Sequence, residues 1–234
     1  MKILTYNVQH CASFMENHKI DFELFAKTIL DFGADIIGLN EMRAAGEASD
    51  YQDQVGTLSR LTGIENSYFA KAIYVKDKGP YGNGLLSKFK IVSTEVFPVP
   101  DPNPRKYNGY YETRCLLKAK LECGLTVAII HMGLNPDEQE NAVKVVLENM
   151  EDEKFILMGD FNATPDSEVL RPIKERLFDT ASLTEDPLLS FPSDKPEIKI
   201  DYIFTSHDIK VKSVSVPPLT CSDHRPYIIE IEDI

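Results

Sequence analysis

Short apolar runs that end in polar residues recur along the chain, and this pattern is typical of strands in a buried sheet. The clearest run is Phe155–Met158, which breaks at Gly159 and is followed by Asp160 and Asn162. A strand that is buried on both faces has a continuous apolar sequence, and its end lies at the rim of the sheet. We therefore expect the side chains of Asp160 and Asn162 to be presented at such a rim.

The first forty residues have the pattern of a strand, a helix and a second strand. Ile3–Val8 is apolar enough for a buried strand, and Ile20–Phe32 has an apolar stripe at helical spacing. Gly33 is expected to end the helix, and Asp35–Glu41 is predicted as a second buried strand with an acid at its end. This order predicts a βαβ-like opening.

The rest of the chain mixes strand and helix patterns in the same way. Strands are predicted at Ser67–Val75, Leu85–Ser87, Ile91–Phe97, Tyr110–Leu121, Leu125–Ile130, Lys199–Phe204, Ile209–Val216 and Tyr227–Ile231. Helices are predicted at Tyr51–Leu61, Pro136–Met150 and Ser167–Leu177, and loops at Lys76–Gly84, Pro98–Pro104 and Pro187–Pro196. Many short strands with a few helices predict an α/β layered sandwich that forms one domain over residues 1–234.

The charge balance narrows the choice of partners. The formal net charge is −12, so most of the surface repels polyanions, and a nucleic acid would need a dense basic patch that the sequence does not show. The apolar runs are too short to span a membrane, and the first residues lack the pattern of a signal peptide. We therefore expect no stable membrane insertion and a cytoplasmic location, with the four cysteines as reduced thiols.

Polar residues of catalytic type stand at the ends of six predicted strands or just before them. They are Asn7, Glu41, His131, Asp160 with Asn162, Asp201, and the pair Asp223–His224. Taken singly, each residue is more readily explained as a turn, a helix cap or a hydrogen-bonded core residue. Taken together, they predict an acidic, oxygen-rich pocket of the kind that suits Mg²⁺ or Mn²⁺.

Seven short segments carry a resemblance to a known family. They are Thr5–Val8, Ile36–Glu41, Tyr81–Ser87, Ile130–Met132, Met158–Asn162, Ile200–Ile203 and Ser222–Pro226. In content and order they resemble the endonuclease/exonuclease/phosphatase superfamily of deoxyribonuclease I-like, metal-dependent phosphoesterases. The resemblance implies a four-layer α/β sandwich, in which two mixed β-sheets are packed between helices.

The resemblance also implies how the water and the metal are held. The implied metal ligands are Glu41, Asn7 and Asp223, for Mg²⁺ or Mn²⁺. Asp160 is implied to orient and deprotonate the attacking water, with help from Asn162. Gln9 stands where several nuclease members have an acid, which puts a second metal ligand from the first strand in doubt.

Other residues are implied to handle the phosphate. His224 is implied to contact the scissile phosphate, with Asp201 fixing its tautomer, and His131 to contact phosphate or to aid the leaving group. The predicted substrate contacts are Arg114, Asn83 and Tyr110. For Arg114 the alternative is a surface ion pair, and for Tyr110 it is ordinary packing.

These roles predict a phosphoesterase that hydrolyses a diester or a monoester by direct attack of an activated water. A small phosphorylated molecule or a lipid headgroup is favoured over nucleic acid, since the basic residues form only a loose group. They are Lys76, Lys78, Lys88, Lys90, Arg105 and Lys106. The alternatives are a nuclease and, less favoured, a catalytically inactive binding protein. The chain has no G-x-S-x-G elbow, which argues against acyl transfer.

Overall fold

Two six-stranded sheets form the centre of the protein, whose computed structural model describes residues 1–232. The strands are β1 Lys2–Asn7, β2 Ala12–Ser13, β3 Lys19–Ile20, β4 Ile36–Arg43, β5 Asn66–Val75, β6 Gly79–Ser87, β7 Ile91–Pro98, β8 Cys115–Leu121, β9 Thr126–His131, β10 Phe155–Asp160, β11 Phe178–Asp179, β12 Asp201–Thr205, β13 Val211–Ser215 and β14 Tyr227–Ile231. The helices are α1 Phe22–Phe32, α2 Gln54–Thr62, α3 Pro136–Asn149 and α4 Arg171–Lys174. The predicted domain extends to residue 234, and its last two residues lie outside the described part.

Both sheets mix parallel and antiparallel pairing. The strand order is β13-β14-β1-β4-β6-β5 in the first sheet and β11-β12-β10-β9-β8-β7 in the second. β1 and β4 are parallel, as are β9 and β10, whereas the neighbouring pairs in each sheet are antiparallel. Since β1 and β4 are joined through α1, the βαβ-like opening is present as predicted.

The inner faces of the two sheets pack against each other in one apolar cluster. Ile3 and Ile36 of the first sheet share this cluster with Ile129 and Met158 of the second. At Gly38 on β4 the sheets come so close that a Cβ atom would lie 2.9 Å from Sδ of Met158. A glycine at this position therefore permits the close approach of the two sheets.

Helices cover the outer face of each sheet. Phe25 and Ile29 of α1 pack with Ile37 of β4, and on the other side Val146 of α3 packs with Leu157 of β10. Four layers result, in the order helices, sheet, sheet, helices. The predicted four-layer α/β sandwich is confirmed. Within the described residues, no helix is long and apolar enough to cross a lipid bilayer.

Three local predictions were wrong. Residues 79–84 form the first part of β6 instead of a loop, because their glycines let neighbouring strands approach: a Cβ at Gly82 would overlap the carbonyl oxygen of Ala70. Tyr110–Arg114 precedes β8 as an irregular segment, since the backbone of Glu112 donates to a side chain of α3. The helix expected at Ser167–Leu177 is a 3₁₀ turn followed by the single turn of α4.

Candidate active site

Strand pairing brings the predicted polar residues to one edge of each sheet. The parallel register sets Asn7 beside Asn40 in the first sheet and His131 beside Asp160 in the second. β12 begins at the same edge and places Asp201 opposite Asp160. The two edges meet, because Nδ2 of Asn7 donates a hydrogen bond of 3.0 Å to Oδ2 of Asp160.

Asp160 lies at the centre of this arrangement and is 1% exposed. Its Oδ2 atom is 3.5 Å from Nε2 of His131 and 3.6 Å from Nε2 of His224. Burial raises the pKa of Asp160 to about 7; the positive charge of His224 and the hydrogen bond from Asn7 oppose this rise. Two imidazoles and one amide thus converge on a single carboxylate oxygen.

His224 is oriented by Asp201. Nδ1 of His224 lies 2.8 Å from Oδ2 of Asp201, and both side chains are buried. Burial alone would lower the pKa of His224, but the carboxylates of Asp201 and Asp160 outweigh it and raise the pKa to about 10. At neutral pH the imidazole is therefore a cation, with its Nε2–H bond available on the side of Asp160.

His131 is held by Arg114. Nη1 of Arg114 lies 3.0 Å from Nδ1 of His131, and the guanidinium also pairs with Glu112. Because a guanidinium can only donate, Nδ1 of His131 is the acceptor and Nε2 carries the proton, facing Asp160. Burial and, after it, the charge of Arg114 hold the pKa of His131 well below its usual range, so this imidazole is neutral.

Glu41 and Asp223 place two further carboxylates at the same edge. Nδ2 of Asn7 donates to Oε1 of Glu41 at 3.1 Å, and Nε2 of Gln9 donates to Oδ2 of Asp223 at 3.0 Å. Burial raises the pKa of Glu41, and the hydrogen bond from Asn7 opposes the rise. The oxygen of Asn7 accepts from the backbone N–H of Gln9. In this orientation Asn7 holds the carboxylates, and its role as a metal ligand stays a prediction.

The donor set fits a hard divalent cation. Glu41 and Asp223 both line the cavity, and they supply carboxylate oxygens as Mg²⁺ and Mn²⁺ prefer. Atoms of Asp160, Asp201 and His224 also lie within 4.8 Å of one another, a spacing that a cation can bridge. Oδ2 of Asp201 and Nδ1 of His224 are already engaged in a hydrogen bond with each other. We therefore do not assign Asp201 as a metal ligand.

Asn162 extends the site on the far side of Asp160. Its backbone, with φ of 47°, turns so that its N–H donates to Oδ1 of Asp160 at 3.0 Å. Its Nδ2 atom donates to the carbonyl of Met132, and Phe161 between the two polar residues is fully buried. Phe161 packs edge-on against the rings of Tyr202 and Phe204, as expected for a side chain that points into the core.

A cavity of about 520 Å³ opens above these groups. Its walls are formed by Glu41, Tyr81, Tyr110, Glu112, Arg114, His131, Leu134, Asp160, Asn162, Thr164, Phe191, Ile198, Ile200, Asp223 and His224. Asn83, predicted as a substrate contact, does not line it. The Asn83 side chain is 2% exposed and is hydrogen-bonded to Asn40 and to the carbonyl of Cys115. It therefore stabilises the protein interior.

Some residues of the site were not predicted. Asn40 accepts from the backbone N–H of Asp160 at 3.0 Å and donates to the carbonyl of Ile130, which ties the two sheets together under the site. An amide inside an otherwise apolar strand was the available signal, because buried amides need partners. Glu112 and Phe191 lie in irregular segments, and no local pattern marks them.

Comparison with known proteins identifies the fold and the family. Residues 4–224 match the model of the Endonuclease/Exonuclease/phosphatase family. An endonuclease/exonuclease/phosphatase from Beutenbergia cavernae is 21% identical, with 99% of this chain and 71% of that chain covered and a TM-score of 0.79. The mannosyl-6-phosphatase Bt3783 of Bacteroides thetaiotaomicron is 18% identical over 99% of both chains, with a TM-score of 0.79.

A third similar structure is the human Nocturnin catalytic domain with a bound sulfate anion. It is 20% identical, with 100% of this chain and 94% of that chain covered and a TM-score of 0.73. The search of curated proteins gave no match. At these identities the structures establish the fold, and the family model establishes the membership. The chain belongs to the endonuclease/exonuclease/phosphatase family.

Proposed function

We propose that the protein is a divalent-metal-dependent phosphoesterase that hydrolyses a phosphodiester or phosphomonoester by direct attack of water. One observation carries the proposal: Nε2 atoms of both His131 and His224 lie within 3.6 Å of the same oxygen of Asp160. This arrangement sets a buried base between two imidazoles at the floor of an open cavity. Such a constellation suits the transfer of a proton from water and the stabilisation of a charged phosphoryl group.

Asp160 is the proposed base. Its Oδ1 atom is fixed by the backbone N–H of Asn162, and its Oδ2 atom faces the two histidines. A water that donates to this carboxylate is oriented for attack on a phosphorus atom above it. Among the described residues that line the cavity there is neither a serine nor a cysteine, which supports attack by water over a Ser or Cys covalent intermediate.

The two histidines are proposed to act differently. His224 is a cation, and its Nε2–H donates to a phosphoryl oxygen or supplies a proton to the leaving oxygen. His131 is neutral, and its Nε2–H donates a hydrogen bond without delivering a proton. Arg114, which is held by Glu112, is proposed to bind a phosphoryl oxygen from the cavity wall.

A divalent cation is proposed to be held by Glu41 and Asp223, with Asn7 and Gln9 orienting these carboxylates. When bound, it supplies neutralisation of the negative charge that builds up on the phosphoryl oxygens. Without such a charge, the acids of the cavity would repel an anionic ester. The fit to Mg²⁺ or Mn²⁺ rests on the hardness of the oxygen donors.

A small phosphorylated molecule or a lipid headgroup is the proposed substrate class. The net charge of −12 disfavours a polyanion, and one structure of the same fold is a mannosyl-6-phosphatase. A nuclease is the alternative. A catalytically inactive binding protein is less favoured, because His224 is hydrogen-bonded to Asp201 and both His131 and His224 lie within 3.6 Å of Asp160.

The test is hydrolysis of p-nitrophenyl phosphate and bis-p-nitrophenyl phosphate by metal-stripped protein, with Mg²⁺, with Mn²⁺ or with EDTA. Turnover is expected with either metal and none with EDTA, and Asp160→Asn should lower it by about 10³-fold. Absence of turnover with every metal and both esters would refute the proposal. A plasmid and an abasic oligonucleotide are incubated with the protein in parallel. Cleavage of either would favour the nuclease alternative over a small phosphorylated substrate.

A further inference from the structure

The cavity has a polar floor and an apolar mouth. The catalytic groups lie at the floor, whereas Tyr110, Leu134 and Ile198 line the same cavity and are 66%, 56% and 38% exposed. The ring of Phe191 also lines it, with its centroid 4.8 Å from that of His224. Single exposed apolar residues are common on protein surfaces. Here, however, several of them share one opening above a reactive centre.

The charges of the cavity leave little room for a second anionic group. Within the described part of the chain, Arg114 is the only lysine or arginine that lines the cavity, and it is already paired with Glu112. The acids Glu41, Asp160 and Asp223 line the same space. A second phosphoryl group near the mouth would therefore meet apolar side chains and negative charge, with no cation to bind it.

We propose that the substrate is an ester with a single phosphoryl group whose organic part is apolar or planar and lies against Leu134, Ile198 and Phe191. The inference rests on the proposed phosphoesterase function. The phosphoryl group occupies the floor, near His224 and Arg114. The organic group covers the apolar mouth, where contact removes exposed apolar surface from water. A cavity of about 520 Å³ accommodates one ring system with its phosphate.

A panel of esters tests this substrate class. With Mg²⁺ present, 1-naphthyl phosphate is compared with methyl phosphate, glycerol 3-phosphate, fructose 1,6-bisphosphate and a short oligonucleotide. We expect kcat/KM to be highest for 1-naphthyl phosphate. Because naphtholate is also a better leaving group than methoxide, the apolar contribution is measured against phenyl phosphate, whose leaving group is comparable. The value of kcat/KM for phenyl phosphate should be lower by about tenfold, since a few apolar contacts contribute a factor of this size. A nucleoside monophosphate and a short-chain phosphatidate added to the panel distinguish a planar from an aliphatic organic group.

Variants of the cavity mouth distinguish recognition of the organic part of the substrate from recognition of its phosphate. In Leu134→Asn with Ile198→Asn, the ratio of kcat/KM for 1-naphthyl phosphate to that for methyl phosphate should fall about tenfold. Val92→Asn is the matched control, since Val92 is 63% exposed on β7 and does not line the cavity. In this control the ratio should not change. A ratio that is equally unchanged in the double variant would overturn the inference.

A charge introduced at the mouth gives a gain of function. Ile198→Lys places a cation where a second phosphoryl group would lie, and KM for fructose 1,6-bisphosphate should fall relative to the wild type. If the wild type already prefers the bisphosphate or the oligonucleotide, the inference fails while the proposed function stands. If no ester is hydrolysed with any metal, the proposed function itself fails.

Discussion

Nδ1 of His224 lies 2.8 Å from Oδ2 of Asp201, and neither side chain is more than slightly exposed. The two residues come from different parts of the chain, since Asp201 opens β12 and His224 lies in the irregular segment before β14. A buried carboxylate at this distance fixes the imidazole ring and leaves Nε2 directed towards Asp160. The pair thereby determines which nitrogen of His224 faces the cavity.

Replacing Asp201 by asparagine tests this relationship. Asp201→Asn keeps the shape of the side chain but removes the charge that stabilises the imidazolium, so kcat should fall by about 10³-fold or more, as in other acid–histidine pairs. The measurement is kcat for p-nitrophenyl phosphate with saturating Mg²⁺. Asp208→Asn is the control, since Asp208 accepts from the backbone of Lys154 at the surface. Wild-type kcat in Asp201→Asn would contradict the assignment.

Asp160 and Asn162 should differ in their importance. Asp160→Asn removes the proposed base and should lower kcat by about 10³-fold, within the range attributed to general-base catalysis. Asn162 donates to Asp160 through its backbone N–H, and this bond is kept in Asn162→Ala. We therefore expect kcat of Asn162→Ala to fall only about tenfold, a factor equivalent to the free energy of one hydrogen bond. Circular dichroism of both variants controls for folding. Equal losses in the two variants would refute this division of roles.

The strand ends were predictable because the signal is local. An apolar run such as that of β10 is buried by necessity, and the polar residue that ends it must reach the rim of the sheet. The first part of β6, residues 79–84, was predicted as a loop for the opposite reason. Its glycines are required by neighbours such as Ala70, which are distant in sequence, and no local pattern shows them.

The contacts that complete the site are also long-range. Arg114 hydrogen-bonds Nδ1 of His131, and Gln9 hydrogen-bonds Asp223, which is 214 residues away in the sequence. From the sequence, Arg114 could be assigned either as a phosphate contact or as a member of a surface ion pair. In the structure it is buried, pairs with Glu112 and lines the cavity. Such partners depend on how two sheets pack, and propensity and periodicity carry no information about that packing.

Gly159, just before Asp160, has a backbone requirement that can be measured. Its φ is 146°, and a Cβ atom would overlap the carbonyl oxygen of Ile130 on β9. Gly159→Ala should therefore lower the free energy of unfolding by about 3 kcal/mol, from backbone strain and steric overlap. Gly33→Ala is the matched control, because φ is 64° with no atom within 4 Å, and it should cost only about 1 kcal/mol.

Urea denaturation at neutral pH measures both glycine variants. The expected result is a clearly lower midpoint for Gly159→Ala than for Gly33→Ala, with similar m-values. Equal midpoints would mean that the backbone at Gly159 shifts to accommodate a Cβ atom without a loss of stability. Such a result would contradict the view that Gly159 holds Asp160 at a fixed place on the sheet edge.

Lys199 is a buried amine beside the site, and its titration should appear in the stability of the protein. It is 3% exposed, with Nζ donating to the carbonyl of Asp201 at 2.7 Å and lying over the rings of Tyr202 and Tyr227. Burial lowers its pKa to about 7, against the attraction of the carboxylates of Asp179 and Asp201. In the unfolded chain the pKa returns to the ordinary value of lysine, about 10.4.

The sign of the pH effect follows from these two values. Between about pH 7 and pH 10 the unfolded state binds more protons at Lys199 than the native state, so the free energy of unfolding rises with pH. The rise is at most about 1.4 kcal/mol per pH unit. Lys199→Met keeps the apolar length and removes the titration. In urea denaturation, its stability advantage over the wild type should therefore be largest below pH 7 and should shrink by about 2 kcal/mol between pH 7 and pH 9. An advantage that does not change with pH would show that Lys199 keeps its ordinary pKa in the folded protein.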